Sequence, residues 1–153
     1  ETMRRSEGQA LSTEMQGILA GISSKTSKLD TLVEGVRPAF ARRLAVRLAE
    51  LLNGLQLDPA RLAQEAALLA ERSDVSEELA RLRSHVEQFQ NLLSGTGETG
   101  KKLDFLLQEM NRETNTILSK TNGAGESALR ITELALAAKS AIEKIREQSL
   151  NLE

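Results

Sequence analysis

The segment LSTEMQGILAGISSKTSKLDTLVEGV, residues 11–36, decides the fold class. Its large apolar side chains recur at intervals of three or four residues or their sum, at Leu11, Met15, Ile18, Ile22, Leu29, Leu32 and Val36. This interval places them on one face of an α-helix. The rest of the chain carries almost no strand signal, since Val and Ile are few and only three aromatic residues occur.

A second apolar series follows Pro38, at Phe40, Leu44, Leu48, Leu51 and Leu55. Because proline has no amide donor, we expect it to start, kink or interrupt a helix. Residues 4–53 are therefore predicted to form two long amphipathic helices or one kinked helix. The Asn53-Gly54 pair predicts the end of this region.

Cap and turn residues divide the remainder of the chain. Asp58 can accept hydrogen bonds from free amides, and Pro59 suits the first position of a helix. Asp74 and Glu77 have the spacing of a capping box before another helix. The predicted helices cover about 59–72, 74–94, 101–120 and 126–148, separated by glycine-rich segments at 95–100 and 122–125.

Composition agrees with an all-α fold of about five helices. Ala, Leu, Glu, Lys and Arg supply 82 of the 153 residues, which is typical of long helices and coiled coils. We predict an extended amphipathic helical arm in residues 1–56 and a carboxy-terminal helical bundle in residues 57–153. Since an isolated amphipathic hairpin cannot bury its apolar stripe alone, the arm is predicted to mediate oligomerisation.

The residue types that the chain lacks exclude several classes of protein. Without cysteine there can be no disulfide, Cys-ligated zinc, iron–sulfur cluster or thiol nucleophile. A single histidine, His85, excludes a zinc site with several His ligands from one chain. No run of about 18 apolar residues occurs, so no membrane-spanning helix is predicted. At a net charge of −2, nucleic-acid binding would require a local basic patch.

Two predicted helices carry polar residues in patterns that suggest a site. Glu78, Arg81 and His85 share one helix face, where carboxylate and imidazole groups can hold a divalent cation or act as an acid/base pair. More often, such a pattern is a row of exposed side chains with only a structural role. The next helix is unusually polar beyond Leu107, with one line at Glu109, Arg112, Glu113 and Thr116 and another at Asp104, Gln108, Asn111 and Asn115. Helix propensity does not explain these Asn and Thr residues, so either an interhelical polar network or a ligand site is expected.

Three passages together resemble the carboxy-terminal region of the YicC/YloC-like family of bacterial proteins. They are LDPARL at 57–62 with Gln64-Glu65, DVSEELARL at 74–82 with Ser84-His85, and KLDFLLQEMNRETNTILSK at 102–120. The terminal IREQSLNLE, residues 145–153, is similar as well. Family members are longer, so the resemblance implies an additional amino-terminal domain.

The resemblance implies a divalent-metal-dependent endoribonuclease that acts on single-stranded RNA, with Mn²⁺ or Mg²⁺ as the metal. It also implies a cytoplasmic homo-oligomer, with a hexamer as the candidate assembly of the longer proteins. From the matching passages we predict Glu78, His85, Glu109 and Glu113 as the catalytic and metal-binding residues. The predicted RNA-binding residues are Arg81, Lys101, Lys102, Asn111, Arg112, Asn115 and Lys120.

An alternative function uses the same residues without chemistry. In a non-catalytic helical oligomerisation module or RNA adaptor, a Glu–Arg–Asn network would specify the register of packed helices. Metal dependence separates the two hypotheses. In the catalytic one, Glu78 and His85 approach Glu109 and Glu113 across two helices. The clustered carboxylates are then expected either to pair with arginine or to have raised pKa values.

Overall fold

The computed structural model describes residues 2–53, 55, 58–95, 100–121 and 126–150. These residues contain five α-helices and no strand, which confirms the all-α prediction: α1 Thr2–Leu51, α2 Pro59–Arg72, α3 Ser76–Leu93, α4 Gly100–Thr121 and α5 Glu126–Leu150. Most of the two glycine-rich segments, 96–99 and 122–125, lies outside the described residues. Among the described residues, no helix has the length and apolar character needed to cross a membrane.

Local side-chain chemistry explains where α2 and α3 begin. Asp58 accepts a hydrogen bond of 3.1 Å from the amide of Ala60, and Pro59 opens α2, both as the sequence predicts. Asp74 accepts from the amide of Ser76 at 3.1 Å and from its hydroxyl at 2.6 Å. Asp74 thus forms an Asx turn just before α3. The N-cap residue of α3 is Val75, without a side-chain hydrogen bond, so the predicted capping box of Asp74 and Glu77 is wrong.

The first helix is a single 50-residue element. Its backbone continues as α-helix through Pro38, so the sequence alternative of one helix holds. Because Pro38 has no N–H group, the carbonyl of Glu34 lacks its usual partner four residues ahead. The helix ends at Leu51, close to the predicted Asn53-Gly54 stop.

Four of the helices enclose the hydrophobic core. α1 packs against α3 and α5, and α4 packs against the same two helices, so α1, α3, α4 and α5 form a closed ring. α2 packs on α1. One continuous cluster of buried apolar side chains joins the ring, with Phe89, Met110 and Ile142 among its largest members.

The first helix departs from the expected projecting arm. Its buried core positions follow a four–three spacing at Met15, Leu19, Ile22, Leu29 and Val33. α5 presents a matching stripe at Ile131, Ala135, Ala138, Ile142 and Ile145. Since α1 packs on α5, each stripe covers the other within one chain. The amino-terminal part of α1 is therefore bundle core.

The carboxy-terminal part of α1 has a different character. None of its described side chains from residue 41 to residue 51 is fully buried, and Val46 and Leu51 are 59% and 75% exposed. This exposure distinguishes the segment, which follows Pro38, from the buried stripe of α1. Self-association through this region, and the domain boundary near residue 56, stay predictions.

Candidate metal centre and the ion pairs beside it

Three side chains with metal-ligating atoms converge where α3 packs on α4. His85 lies on α3, and Glu109 and Glu113 lie one turn apart on α4. Each offers one nitrogen or oxygen atom, and these atoms lie within 4.8 Å of one another. Among the described residues, this is the single cluster of three or more His or carboxylate groups with such spacing. The structure thus brings together three of the four residues predicted to bind metal.

The core beneath these side chains positions them. Leu82 and Val86 on α3 and Met110 on α4 are buried, so their packing sets the register between the two helices. Glu113 is 4% exposed, whereas His85 and Glu109 are half-buried. The cluster therefore lies at the edge of the core, with Glu113 innermost.

Arg81 provides positive charge beside the innermost carboxylate. Its Nε donates a hydrogen bond to Oε1 of Glu113 at 2.9 Å, linking α3 to α4. Its Nη1 donates to Glu77 at 2.6 Å, and its Nη2 lies 3.6 Å from Glu78. Desolvation lowers the pKa of Arg81, but the hydrogen bond to Glu113 and the three carboxylate charges raise it overall. Arg81 is thus a permanent cation that neutralises Glu113.

Sequence reasoning gave Glu77 a place in a capping box and no part in the site. Its position four residues before Arg81 is the available signal, because residues at that spacing are neighbours on a helix surface. A second ion pair between helices is not predicted from the sequence: Arg83 of α3 pairs with Asp30 of α1. Nothing in the local sequence pairs two residues that are 53 positions apart.

Glu78 lies apart from the three-residue cluster. Its side chain is almost fully buried, and its Oε1 accepts a hydrogen bond of 2.7 Å from Nζ of Lys120. The same ammonium group donates to the backbone carbonyl of Asp74 at 3.1 Å. Burial alone would raise the pKa of Glu78, but the hydrogen bond from Lys120, a backbone hydrogen bond, and the charges of Lys120 and Arg81 lower it overall. Glu78 is therefore an ionised carboxylate with a fixed partner.

The pairing of Glu78 predicts a stability difference that depends on pH. We expect Glu78→Gln to lower the free energy of unfolding at pH 7 by roughly 1.5–3 kcal/mol, the usual contribution of a hydrogen bond to a charged group. Since the folded-state pKa of Glu78 lies below the ordinary pKa that it has in the unfolded chain, this stabilisation is fully present above the unfolded-state pKa and is lost as the pH falls through the folded-state pKa.

Urea unfolding of the wild type and the variant, from about pH 7 to about pH 3, measures this difference. Glu87→Gln, which changes an exposed acid on the same helix, is the matched control. A stability gap that does not shrink in acid would show that the charge of Glu78 does not contribute.

The predicted RNA-binding residues do not form one continuous patch. Lys120 is engaged with Glu78, and Arg81 with the acidic side chains around it. Arg112 is 75% exposed, and its Nη1 lies 3.9 Å from Glu109. Lys101, Lys102 and Asn115 are exposed, whereas Oδ1 of Asn111 is buried without a hydrogen-bond partner among the described residues.

Histidine and carboxylate groups in this arrangement fit a divalent cation. One imidazole and two carboxylates match the mixed nitrogen and oxygen ligands of divalent transition metals, and carboxylates suit Mg²⁺ and Mn²⁺. The Nδ1 atom of His85 is buried and lacks a hydrogen-bond partner among the described residues. A buried polar atom without a partner is energetically costly, so the unpaired Nδ1 is consistent with a bound ligand or ion at this position.

Comparison of the sequence with known proteins identifies the family of this chain. A family model described as "Endoribonuclease YicC-like, C-terminal" matches residues 13–153. A protein of Clostridioides difficile (strain 630) called "Probable endoribonuclease YicC" is 38% identical over 152 residues, which cover 99% of this chain and 50% of that protein. A protein of the same name from Haemophilus influenzae is 42% identical over 151 residues, again 99% of this chain and 50% of the relative.

The chain thus spans about half the length of these curated relatives. The matched residues 13–153 include both α3 and α4 and the positions of His85, Glu109 and Glu113. The sequence-based resemblance is confirmed: this chain belongs to the YicC-like endoribonuclease family, within the C-terminal region that the family model describes.

Proposed function

We propose that the protein containing this chain is a divalent-metal-dependent endoribonuclease that cleaves single-stranded RNA. The observation that carries the proposal is the convergence of His85, Glu109 and Glu113 within 4.8 Å. Two relatives bear the name of a probable endoribonuclease, which supports the class of reaction. We propose cytoplasmic localisation and a homo-oligomer, with the hexamer as the assembly to test first.

His85, Glu109 and Glu113 are the proposed metal ligands. A bound Mn²⁺ or Mg²⁺ ion would neutralise charge on a phosphate and lower the pKa of a coordinated water. Glu78 is left out of this set because it does not belong to the group whose ligand atoms lie within 4.8 Å of one another. Its Oε1 instead accepts a hydrogen bond from Lys120, which also donates to the carbonyl of Asp74 before α3. Glu78 is thus proposed to position Lys120 rather than to touch the metal.

Arg81 is proposed to orient Glu113 through the hydrogen bond to its Oε1. A carboxylate has two oxygens, so Glu113 can accept from Arg81 through Oε1 and still offer its other oxygen to a cation. Arg112 projects from α4 beside Glu109 and is mostly exposed. It is therefore available for contact with a phosphate of the substrate.

Removal of divalent metal tests the proposal. We expect EDTA to abolish cleavage of a single-stranded oligoribonucleotide by the intact protein, and Mn²⁺ or Mg²⁺ to restore it. Gel analysis of end-labelled RNA measures both effects. Cleavage that persists at an unchanged rate in excess EDTA would contradict a metal-dependent mechanism.

A second function is favoured by a different observation. The ion pairs of Arg81 and Lys120 join α3 to α4 without any metal, as expected of an interhelical network that fixes register. Under this alternative the module assembles oligomers or carries RNA without cleaving it. Intact RNA in the presence of Mn²⁺ and Mg²⁺, together with metal-independent stability, would favour the alternative.

A further inference from the structure

A groove opens beside the metal-ligand cluster, between the end of α3 and the beginning of α4. It has a volume of about 510 Å³. Its lining includes Gln88 and Asn91 from α3 and Lys101, Lys102 and Phe105 from α4. Leu92 and Leu106 complete the lining, so the groove combines an apolar floor and one aromatic ring with two cations and two amide groups, and none of its lining residues is acidic.

Phe105 is unusual among the described aromatic residues. Phe89 is fully buried in the core, whereas Phe105 is 58% exposed at the groove. An exposed aromatic ring offers a flat apolar surface to a planar ligand. Stacking on such a ring is a general way to bind unpaired bases irrespective of their sequence.

The lysines give the groove a positive charge. Lys101 and Lys102 are exposed, and neither forms an ion pair or a hydrogen bond with another side chain in the described part of the protein. Two free ammonium groups next to an exposed ring match a ligand that carries both an anionic phosphate and a base. A second apolar helix face would leave these charges without partners.

Helix geometry connects the groove to the metal-ligand cluster. Phe105 precedes Glu109 by four residues on α4, and Gln88 follows His85 by three residues on α3. Residues at these separations are neighbours on the same helix face. The groove therefore continues along the α3–α4 contact from the site proposed for RNA cleavage.

We propose that this groove is a nucleotide-binding subsite for single-stranded RNA, in which Phe105 stacks on an unpaired base and Lys101 and Lys102 contact the adjoining phosphates. The inference rests on the proposed RNA substrate and extends it by assigning a base-stacking residue. Phe105 contributes to the affinity for the RNA strand. Its role is separate from that of the metal ligands.

Binding of a fluorescently labelled single-stranded oligoribonucleotide to the intact protein tests the subsite. In EDTA, which prevents metal-dependent cleavage, Phe105→Ala should weaken binding about 5- to 150-fold, the effect of losing one stacked base. Phe105→Trp should retain binding, because it preserves an aromatic surface. Leu129→Ala, which truncates a 60% exposed side chain on α5, is the matched control and should bind as the wild type does.

The lysine variants separate charge from stacking. Replacing both Lys101 and Lys102 with Ala should reduce the slope of log K against log salt by about 1.4, because each phosphate that a lysine neutralises on a single strand contributes about 0.7 to that slope. Phe105→Ala should leave the slope unchanged. The two kinds of variant thus produce different signatures at the same groove.

Two results would overturn the inference. Wild-type affinity in Phe105→Ala would show that no base stacks there. The proposed RNA cleavage at the metal centre would not be contradicted by that result. A change of molar mass by light scattering in Phe105→Ala, with RNA affinity retained, would assign the groove to contact between copies of the chain. Failure of the wild type to bind single-stranded RNA would instead reject the proposed substrate itself.

Discussion

Glu109→Gln should reduce metal-dependent RNA cleavage by more than about 100-fold, because loss of a ligand to the ion should exceed the 10- to 100-fold effect of losing an outer-shell partner. Glu109 is the most informative of the three ligands. It is half-buried, and its nearest cationic group, on Arg112, is 3.9 Å away. Replacing Glu113 would also break the hydrogen bond to Arg81, so metal binding and folding would change together. Single-turnover cleavage at saturating Mn²⁺ measures the effect.

Circular dichroism and Glu87→Gln provide the controls for this variant. Glu109→Gln should retain the helix content of the wild type, and Glu87→Gln should cleave RNA normally, since Glu87 is an exposed acid outside the cluster. Wild-type cleavage by Glu109→Gln would place the reaction elsewhere. Unfolding of Glu109→Gln would favour the structural network.

Leu19→Ala should lower the free energy of unfolding by about 2–5 kcal/mol, the usual cost of truncating a buried leucine to leave a cavity. Leu19 is fully buried in the stripe of α1 that packs on α5. Urea unfolding measures the change. The size of the effect follows from α1 being part of the bundle core.

Val46→Ala is the matched control on the same helix. Val46 is 59% exposed, so its truncation should change stability by no more than about 0.5 kcal/mol. In a projecting oligomerisation arm, Leu19→Ala would instead reduce self-association and leave unfolding of the bundle unchanged. That outcome would contradict the packing described for α1.

Helix positions in this protein follow from short-range signals. Asp58 caps α2 and Asp74 forms a turn before α3, and both are visible in the sequence because these hydrogen bonds join atoms only two residues apart. Spacing predicts three positions of the buried stripe of α1, Met15, Ile22 and Leu29, but misses Leu19 and Val33. Its partner is not predicted either, since periodicity does not reveal which surface covers the stripe. Thr26 shows a further limit: it is buried on the stripe, and its hydroxyl donates to the carbonyl of Ile22 at 2.9 Å.

In the candidate site too, short-range spacing predicts the helix faces but not the contacts between helices. Spacing places Glu109 and Glu113 on one face of α4 and His85 on a face of α3 together with Glu78. The distance between these faces depends on the register of α3 against α4, which the packing of many core side chains determines. Lys120 reaches Glu78 from the far end of α4, and no pattern within either helix indicates that pairing.

Direct titration of the intact protein with Mn²⁺ tests the metal centre most directly, because it needs no RNA and no knowledge of the cleavage sequence. Isothermal titration calorimetry should show one Mn²⁺ site per chain in the wild type and in Glu78→Gln. The same site should be lost in Glu109→Gln and in His85→Ala. Equal Mn²⁺ binding by all four proteins would contradict the assignment of His85, Glu109 and Glu113 as the metal ligands.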